Sequence, residues 1–454
     1  MQIVKAESLS DMLKTFRAEP LDESVFAKFY YNNTMSIRTG NKYDSPVEDL
    51  FEDCTTSLAK NAHLLMGHGG SGKSTELFNL KKRFEQAGQP VTIINFATEA
   101  DIYKASRWDI MLMITEGLCA IAKENNINVP KKTIVSVMNY IHKDEVRTDD
   151  TSILAELGVE GGLEAKTPAI LEALLKLFIS VKSGIKASST ARTTITEKME
   201  KRAPEWIGYI EEISDHVSAG LNGKQPILIF ENLDKIQPPE KALDILLYPY
   251  LAEVPFPIIY TFPISLYYDP RITQIKNNYR CNILPMIKVS NSDGSPNEKG
   301  IEVIREIVKL RADENLFDND VLEKLIKQTG GVLRHLFSCI ISAARLANRR
   351  GSDIIEEDDA IRALSDLGEE LSRLVYMPDH EQLKRIYCDK RFREQIDDLR
   401  FLLTKLQALV VLEYKNSVRW HDLHPIVATW LMDQNVITKE DYLIRKKGAD
   451  SDAG

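Results

Sequence analysis

The chain is poor in cysteine, with five residues in 454, at Cys54, Cys119, Cys281, Cys339 and Cys388. They are scattered, odd in number and never form a C-x-x-C pair, so neither a disulfide framework nor a structural zinc site fits. Glycine and proline supply only 22 and 18 positions, too few for a collagen-like or low-complexity chain. Apolar runs are short as well. The longest, Val254 to Tyr268, is broken by prolines and falls short of a membrane span. The opening Met1-Gln-Ile-Val-Lys-Ala-Glu-Ser8 lacks the charged-then-apolar pattern of a secretory signal, so a cytoplasmic location is expected. A basic excess is missing too: 58 Lys and Arg face 67 Asp and Glu, a net charge of −9. Proteins that bind nucleic acid over their whole surface are usually basic, so any DNA contact here has to be local. His-Glu-x-x-His and Gly-x-Ser-x-Gly are absent, which leaves no signal for a metalloprotease or a serine hydrolase.

What the chain does have is 43% apolar residues and 28% charged ones, a globular composition long enough for about three domains. Short apolar runs alternate with helical patterns, the signature of a parallel sheet with crossover helices. Strands are expected at His63–Met66, Val91–Phe96, Ile227–Phe230, Pro257–Thr261 and Cys281–Val289. The expected fold is therefore a three-layer α/β core over 51–290, after an N-terminal segment, 1–50. A helical insertion is expected over about 130–200. Within it, Pro168 to Val181 carries an apolar stripe (Ile170, Leu171, Leu174, Leu175, Leu177, Phe178) followed by Lys182 and Lys186. That stripe suits a helix packed on the core or on a partner; an amphipathic membrane helix is the other reading. A turn-rich linker, Ser290 to Pro296, leads into an α-helical lid over 297–372. Two strands around the short tip Lys415-Asn-Ser417 then mark a winged helix-turn-helix over 379–447, followed by a tail, 448–454.

Gly67-His-Gly-Gly-Ser-Gly-Lys-Ser74 satisfies G-x-x-x-x-G-K-S/T between a strand and a helix. Its glycines (Gly67, Gly69, Gly70, Gly72) let backbone N–H groups turn onto phosphate oxygens, and Ser71 continues that loop. Lys73 is expected to neutralise the β- and γ-phosphates of ATP or ADP, Ser74 to ligate Mg²⁺, and Thr75 to sit near the α-phosphate. His68 reads as a spacer within the loop. The second acidic anchor is expected in Ile227-Leu-Ile-Phe-Glu-Asn-Leu-Asp-Lys235, with Glu231 holding Mg²⁺ and Asp234 activating water. Asn232 orients water but takes no proton, so hydrolysis should be slow unless Asp234 does that work.

These motifs resemble the AAA+ and STAND branches of P-loop ATPases across roughly residues 20 to 435. The resemblance rests on GHGGSGKST, ILIFENLD, IIYTFP, TGGVLRHL and VRWHDLHPIV. ENLD is similar to the acid-x-x-Asp arrangement of NACHT and KAP ATPases. By that resemblance Thr261 is a γ-phosphate sensor and Arg334 the lid's second sensor. Arg280, with Arg271 in reserve, would be an arginine finger offered to a neighbouring subunit of a homo-oligomer. Trp420-His-Asp-Leu423 looks like the Met-His-Asp signature of NB-ARC switches, which makes His421 a lock on the ADP β-phosphate and Asp422 its orienting partner. The alternative is that His421 and Asp422 cap the following helix.

Two functions remain open. One is a nucleotide-controlled switch that assembles with a separate partner or effector protein, as STAND ATPases do; bacterial anti-phage defence is one setting for such compact ATPases. The other is a DNA-binding initiator or loader similar to the archaeal origin-recognition ATPases. Lys384–Lys447 carries thirteen basic and nine acidic residues, which permits weak DNA contact. The helix before the wing is mostly apolar (Leu399, Phe401, Leu402, Leu403, Leu406), which suits packing rather than a groove and favours the switch.

Overall fold

The structure is a computed structural model that describes residues 4–17, 21, 25–56, 61–142, 167–187, 202–390, 396–416 and 418–450. Five parallel strands, β1 (Ala62–Gly67), β2 (Val91–Asn95), β3 (Ile227–Glu231), β4 (Ile258–Pro263) and β5 (Arg280–Ile283), form one sheet in the order β2-β3-β4-β1-β5. Strands buried on both faces need near-continuous apolar sequence, and β1, β3 and β4 have it. Leu64 and Met66 of β1 face one core, with the helices Arg107–Glu124, Thr167–Ala187 and Ala203–Gly220. Leu65 faces the other, with Leu77, Leu80 and Phe84 of the helix Lys73–Gln86 and with Val47 and Leu50 of the helix Pro46–Thr56. The fifth strand stops at Ile283, well short of Val289; Pro285 follows, and its ring removes the donor a longer ladder would need.

The stripe at 170–178 belongs to the protein core. Ile170, Leu171, Leu174, Leu177 and Phe178 are buried against the sheet's helices, and Lys182 pairs with Glu99 (2.6 Å) and Glu116 (2.5 Å). That packing corrects the membrane-helix alternative, and no helix among the described residues is long and apolar enough to cross a membrane. The rest of the expected insertion, 143–166 and 188–201, lies outside the described residues, as does the end of the tail.

The lid helices Glu298–Lys309, Val321–Gln328, Leu333–Arg350 and Glu357–Ser372 follow the sheet. The winged helix comprises His380–Cys388, Ile396–Gln407, an antiparallel hairpin of β6 (Val411–Asn416) and β7 (Val418–Leu423), and Pro425–Asp433. Lid and winged helix share one core: Leu383, Leu402, Val411 and Ile426 are buried together with Ile304, Leu325 and Ile340. The N-terminal segment joins that same core through Ala6, Leu9, Met12 and Phe16. A sheet on one side and this helical body on the other leave a cleft at the carboxyl ends of the strands, where open parallel sheets bind ligands.

Candidate functional site

The cleft is a cavity of about 1110 Å³, roomy enough for a nucleotide. The phosphate loop forms its floor between β1 and the helix Lys73–Gln86, with Gly70 and Gly72 in the left-handed backbone region that side chains resist. Gly67, Gly69, Gly70, Gly72, Lys73, Ser74 and Thr75 all line the cavity. The Lys73 ammonium is buried and spends its three donors on the carbonyls of Gly67 (2.8 Å) and His68 (3.0 Å) and on Asp234 Oδ2 (2.9 Å). Burial works to raise the Asp234 carboxyl, but the Lys73 charge and hydrogen bond outweigh it and hold the group below the usual carboxylate range. A carboxylate so committed is a weak base, which corrects the expectation that Asp234 activates water.

Asn95 at the end of β2 lies opposite Glu231 in the sheet. Asn232 takes a left-handed backbone, and its amide donates to Asn95 Oδ1 (2.9 Å), so it too is spent on structure. Thr261 Oγ1 accepts the Leu233 N–H (2.9 Å) and thereby holds the Asn-Leu-Asp turn against β4. Glu231 differs: its Oε1 is buried with no hydrogen-bond partner, beside the cavity that Ser74 also lines. An orphaned carboxylate oxygen and a serine hydroxyl lining one cavity are the hard oxygen ligands that fit Mg²⁺. When bound there, the ion would neutralise charge on the β- and γ-phosphates.

Arg334 comes to the loop from the lid. A Cβ on Gly70 would sit 2.7 Å from Arg334 Cβ, and one on Gly69 would sit 3.5 Å from its Nη1. The guanidinium is exposed at the cavity wall, where it can meet phosphate oxygens.

Three expectations, for His68, His421 and Asp422, are corrected by placement. His68 is no spacer: its ring is 1% exposed, and its Nε2 accepts the Glu413 N–H of β6 at 2.8 Å. Burial pushes its pKa down to about 4, with Glu413 opposing and Lys73 assisting that shift. His421 does not line the cavity; its Nε2 meets Tyr268 Oη (2.9 Å), and Glu413 Oε2 lies 3.7 Å away. Asp422 turns from that ring to Lys390 and to Arg445 (2.8 Å), and the cap of the helix Pro425–Asp433 is His424 instead. Arg280 pairs with Asp53 (2.5 Å) and sits level with His63, at the end of the sheet opposite the loop. Arg271 is bound to Asp244 (2.7 Å) and Asp269 (2.9 Å).

Sequence reasoning missed Arg38, which is 2% exposed under the loop. Its guanidinium donates to Thr34 Oγ1 (3.1 Å), the Pro285 carbonyl (2.6 Å) and the Ser71 carbonyl (2.9 Å), tying the N-terminal segment to the phosphate loop. Tyr30 was missed as well; it lines the cavity and donates to Glu76 Oε2 (3.0 Å) on the phosphate-loop helix. Neither residue lies in a motif, so no local signal marks them.

No protein-family model matches the chain, and no curated protein sequence matches it. Solved structures with a similar chain path do exist. The ORC1 protein of Aeropyrum pernix, solved in complex with DNA, is 11% identical at a TM-score of 0.37, over 86% of this chain and 92% of its own. The ORC2 protein of Aeropyrum pernix, solved as ADPNP–ADP complexes, is 15% identical at 0.38, over 94% and 99%. A Walker-type ATPase of Pyrococcus abyssi is 13% identical at 0.41, over 89% and 99%. At such distances the likeness is one of chain path, and the reading of the site rests on this chain's own residues.

Proposed function

We propose that the chain is a P-loop ATPase of low turnover that works as a nucleotide-controlled switch, its winged helix closing over ATP or ADP. The observation that carries this reading is the inward placement of the winged helix. Leu406 and Gln407, at the end of the helix Ile396–Gln407, line the same cavity as Lys73. This is the helix a winged-helix module would lay in a DNA groove, and here it packs on the turn Ile264–Tyr268 that follows β4. The hairpin is engaged too: Lys415 pairs with Asp44 (2.5 Å), and its carbonyl accepts from Lys288 (2.6 Å). Of the cavity carboxylates among the described residues, Glu76 is buried against Tyr30 and Asp234 is bound to Lys73, which leaves Glu231 for metal and water. Slow hydrolysis follows, and a slow ATPase spends long enough in each nucleotide state to act as a switch. Release of the winged helix would free surfaces for a second copy or a separate partner protein.

The test is nucleotide binding together with particle mass. Lys73→Ala should lose triphosphate binding, because the loop's cation is gone. Glu231→Gln should retain binding and lose its Mg²⁺ dependence and turnover. Parent protein should differ in mass between ATP and ADP in sedimentation. Equal ATP affinity in Lys73→Ala and parent would sink the assignment; nanomolar, sequence-selective DNA binding at physiological salt would move the reading to an initiator.

A further inference from the structure

The contact between His68 and Glu413 joins positions 345 residues apart and has no counterpart among the roles assigned above. Glu413 and His421 face each other across the hairpin, each with its N–H turned outward. His421 N–H finds the Lys390 carbonyl (2.9 Å), and Glu413 N–H finds the phosphate loop. A buried backbone donor must be paired, so this strand docks only while His68 presents an unprotonated Nε2. The other end of the same residue is tied to the loop's chemistry, since the His68 carbonyl holds the Lys73 ammonium at 3.0 Å.

We propose that His68 is the latch through which the phosphate loop reports its occupancy to the winged helix. The proposal rests on the reading of the loop as a nucleotide site. Lys73 has three protons, and all three are spent on Gly67, His68 and Asp234. A phosphate oxygen that takes one of them must displace a present acceptor. When the carbonyl of His68 gives up the ammonium, only the Ser71 N–H (3.2 Å) still holds it, and a turn of that peptide carries the imidazole off the Glu413 N–H. Around that contact the interface is polar: Tyr268 Oη donates to Glu413 Oε2 (2.5 Å) and approaches His421 Nε2 (2.9 Å). Such groups exchange protein partners for water at modest cost, whereas Leu412, Tyr414 and Trp420 stay buried with Met286 and Val332, so the change is an opening of the hairpin at Glu413 and not its departure. Coupling of this kind is reciprocal: triphosphate weakens hairpin docking, and loss of docking strengthens triphosphate binding by the same factor.

The experiment is amide hydrogen exchange of the full chain, with and without the β,γ-imido analogue of ATP, on parent, His68→Ala and His68→Gln. Analogue affinity is measured by calorimetry on the same samples. In the parent, the analogue should speed exchange at Glu413 by about tenfold. His68→Ala should exchange fast there without nucleotide, show no further response, and bind the analogue about tenfold more tightly. His68→Gln, whose side-chain oxygen can accept the same N–H, should restore protection and its loss on binding. Unchanged exchange across Arg107–Glu124 establishes that a variant is folded. A parent that binds the analogue yet keeps Glu413 protected overturns the latch alone, as does a His68→Ala that behaves like the parent. A parent that binds no analogue overturns the nucleotide reading and the latch with it.

Discussion

Lys73 and Asp234 illustrate how one ion pair changes the meaning of a carboxylate. Placed 2.9 Å from the ammonium, Asp234 competes with phosphate for the cation that the loop exists to present. Asp234→Asn removes the competing charge, while in the empty loop Lys73 keeps the carbonyls of Gly67 and His68. We expect Mg²⁺-free ADP to bind this variant roughly three- to tenfold more tightly than parent. Calorimetry in the presence of a chelator measures it; weaker binding would mean that the carboxylate positions Lys73 rather than competing for its charge. The same ion pair sets a low-pH limit. A carboxylate whose folded pKa is depressed stabilises the fold above its ordinary value near 3.8 and loses that contribution as pH falls through the lowered value.

Between elements, close approach of backbone decides where the lid can sit. Gly331 opens the lid helix Leu333–Arg350 with φ +81°, and a Cβ there would lie 2.0 Å from the Ile287 carbonyl. Gly351 ends the same helix at φ +78° with nothing within 4 Å of its Cβ position. Both glycines satisfy a left-handed turn, and only the first also admits a neighbouring chain segment. Gly351→Ala should therefore cost about 1 kcal/mol of backbone strain. Gly331→Ala should cost at least about 3 kcal/mol, since the lid must move off the residues that follow β5. Chemical denaturation of the two variants side by side checks the difference; equal midpoints would show that the lid is not held at 287.

Across the whole molecule, uncharged imidazoles join the parts, with His68 and His424 buried and His335 half-buried. His68 joins the loop to the hairpin, and His335 of the lid meets His424 of the winged helix at 3.1 Å. Burial pushes His68 and His335 down to about 4, and burial together with His335 pushes His424 well below its ordinary 6.5. Unfolded chain takes up these protons at higher pH than folded chain does. Stability from these residues is thus complete above 6.5 and declines as pH falls from there toward about 4. The slope is about 1.4 kcal/mol per pH unit for each histidine that titrates. Unfolding midpoints followed from pH 7.5 to 4.5 should fall steeply, and less steeply in His424→Phe. A flat profile would show that these rings stay solvated.

Features held by neighbouring residues were legible in the amino-acid order. The phosphate loop needs glycines, a lysine and a serine in one turn between a strand and a helix, and all of it is local backbone chemistry. The five strands and four lid helices follow from apolar periodicity for the same reason. Glu231 could be placed at a strand tip because a buried strand announces its own end. What neighbouring residues do not contain is the identity of a partner far along the chain. His68 looked inert because its acceptor role depends on Glu413, 345 residues away, and Arg38 carried no signal because its three acceptors come from Thr34, Ser71 and Pro285. His421 and Asp422 sit in a segment that resembles a nucleotide lock, yet Tyr268, Lys390 and Arg445 hold them away from the cavity. Order along the chain sets which groups are available to bind phosphate. Packing of the winged helix against the sheet decides which of them touch it, because buried polar atoms must pair with whatever the fold brings within hydrogen-bond reach.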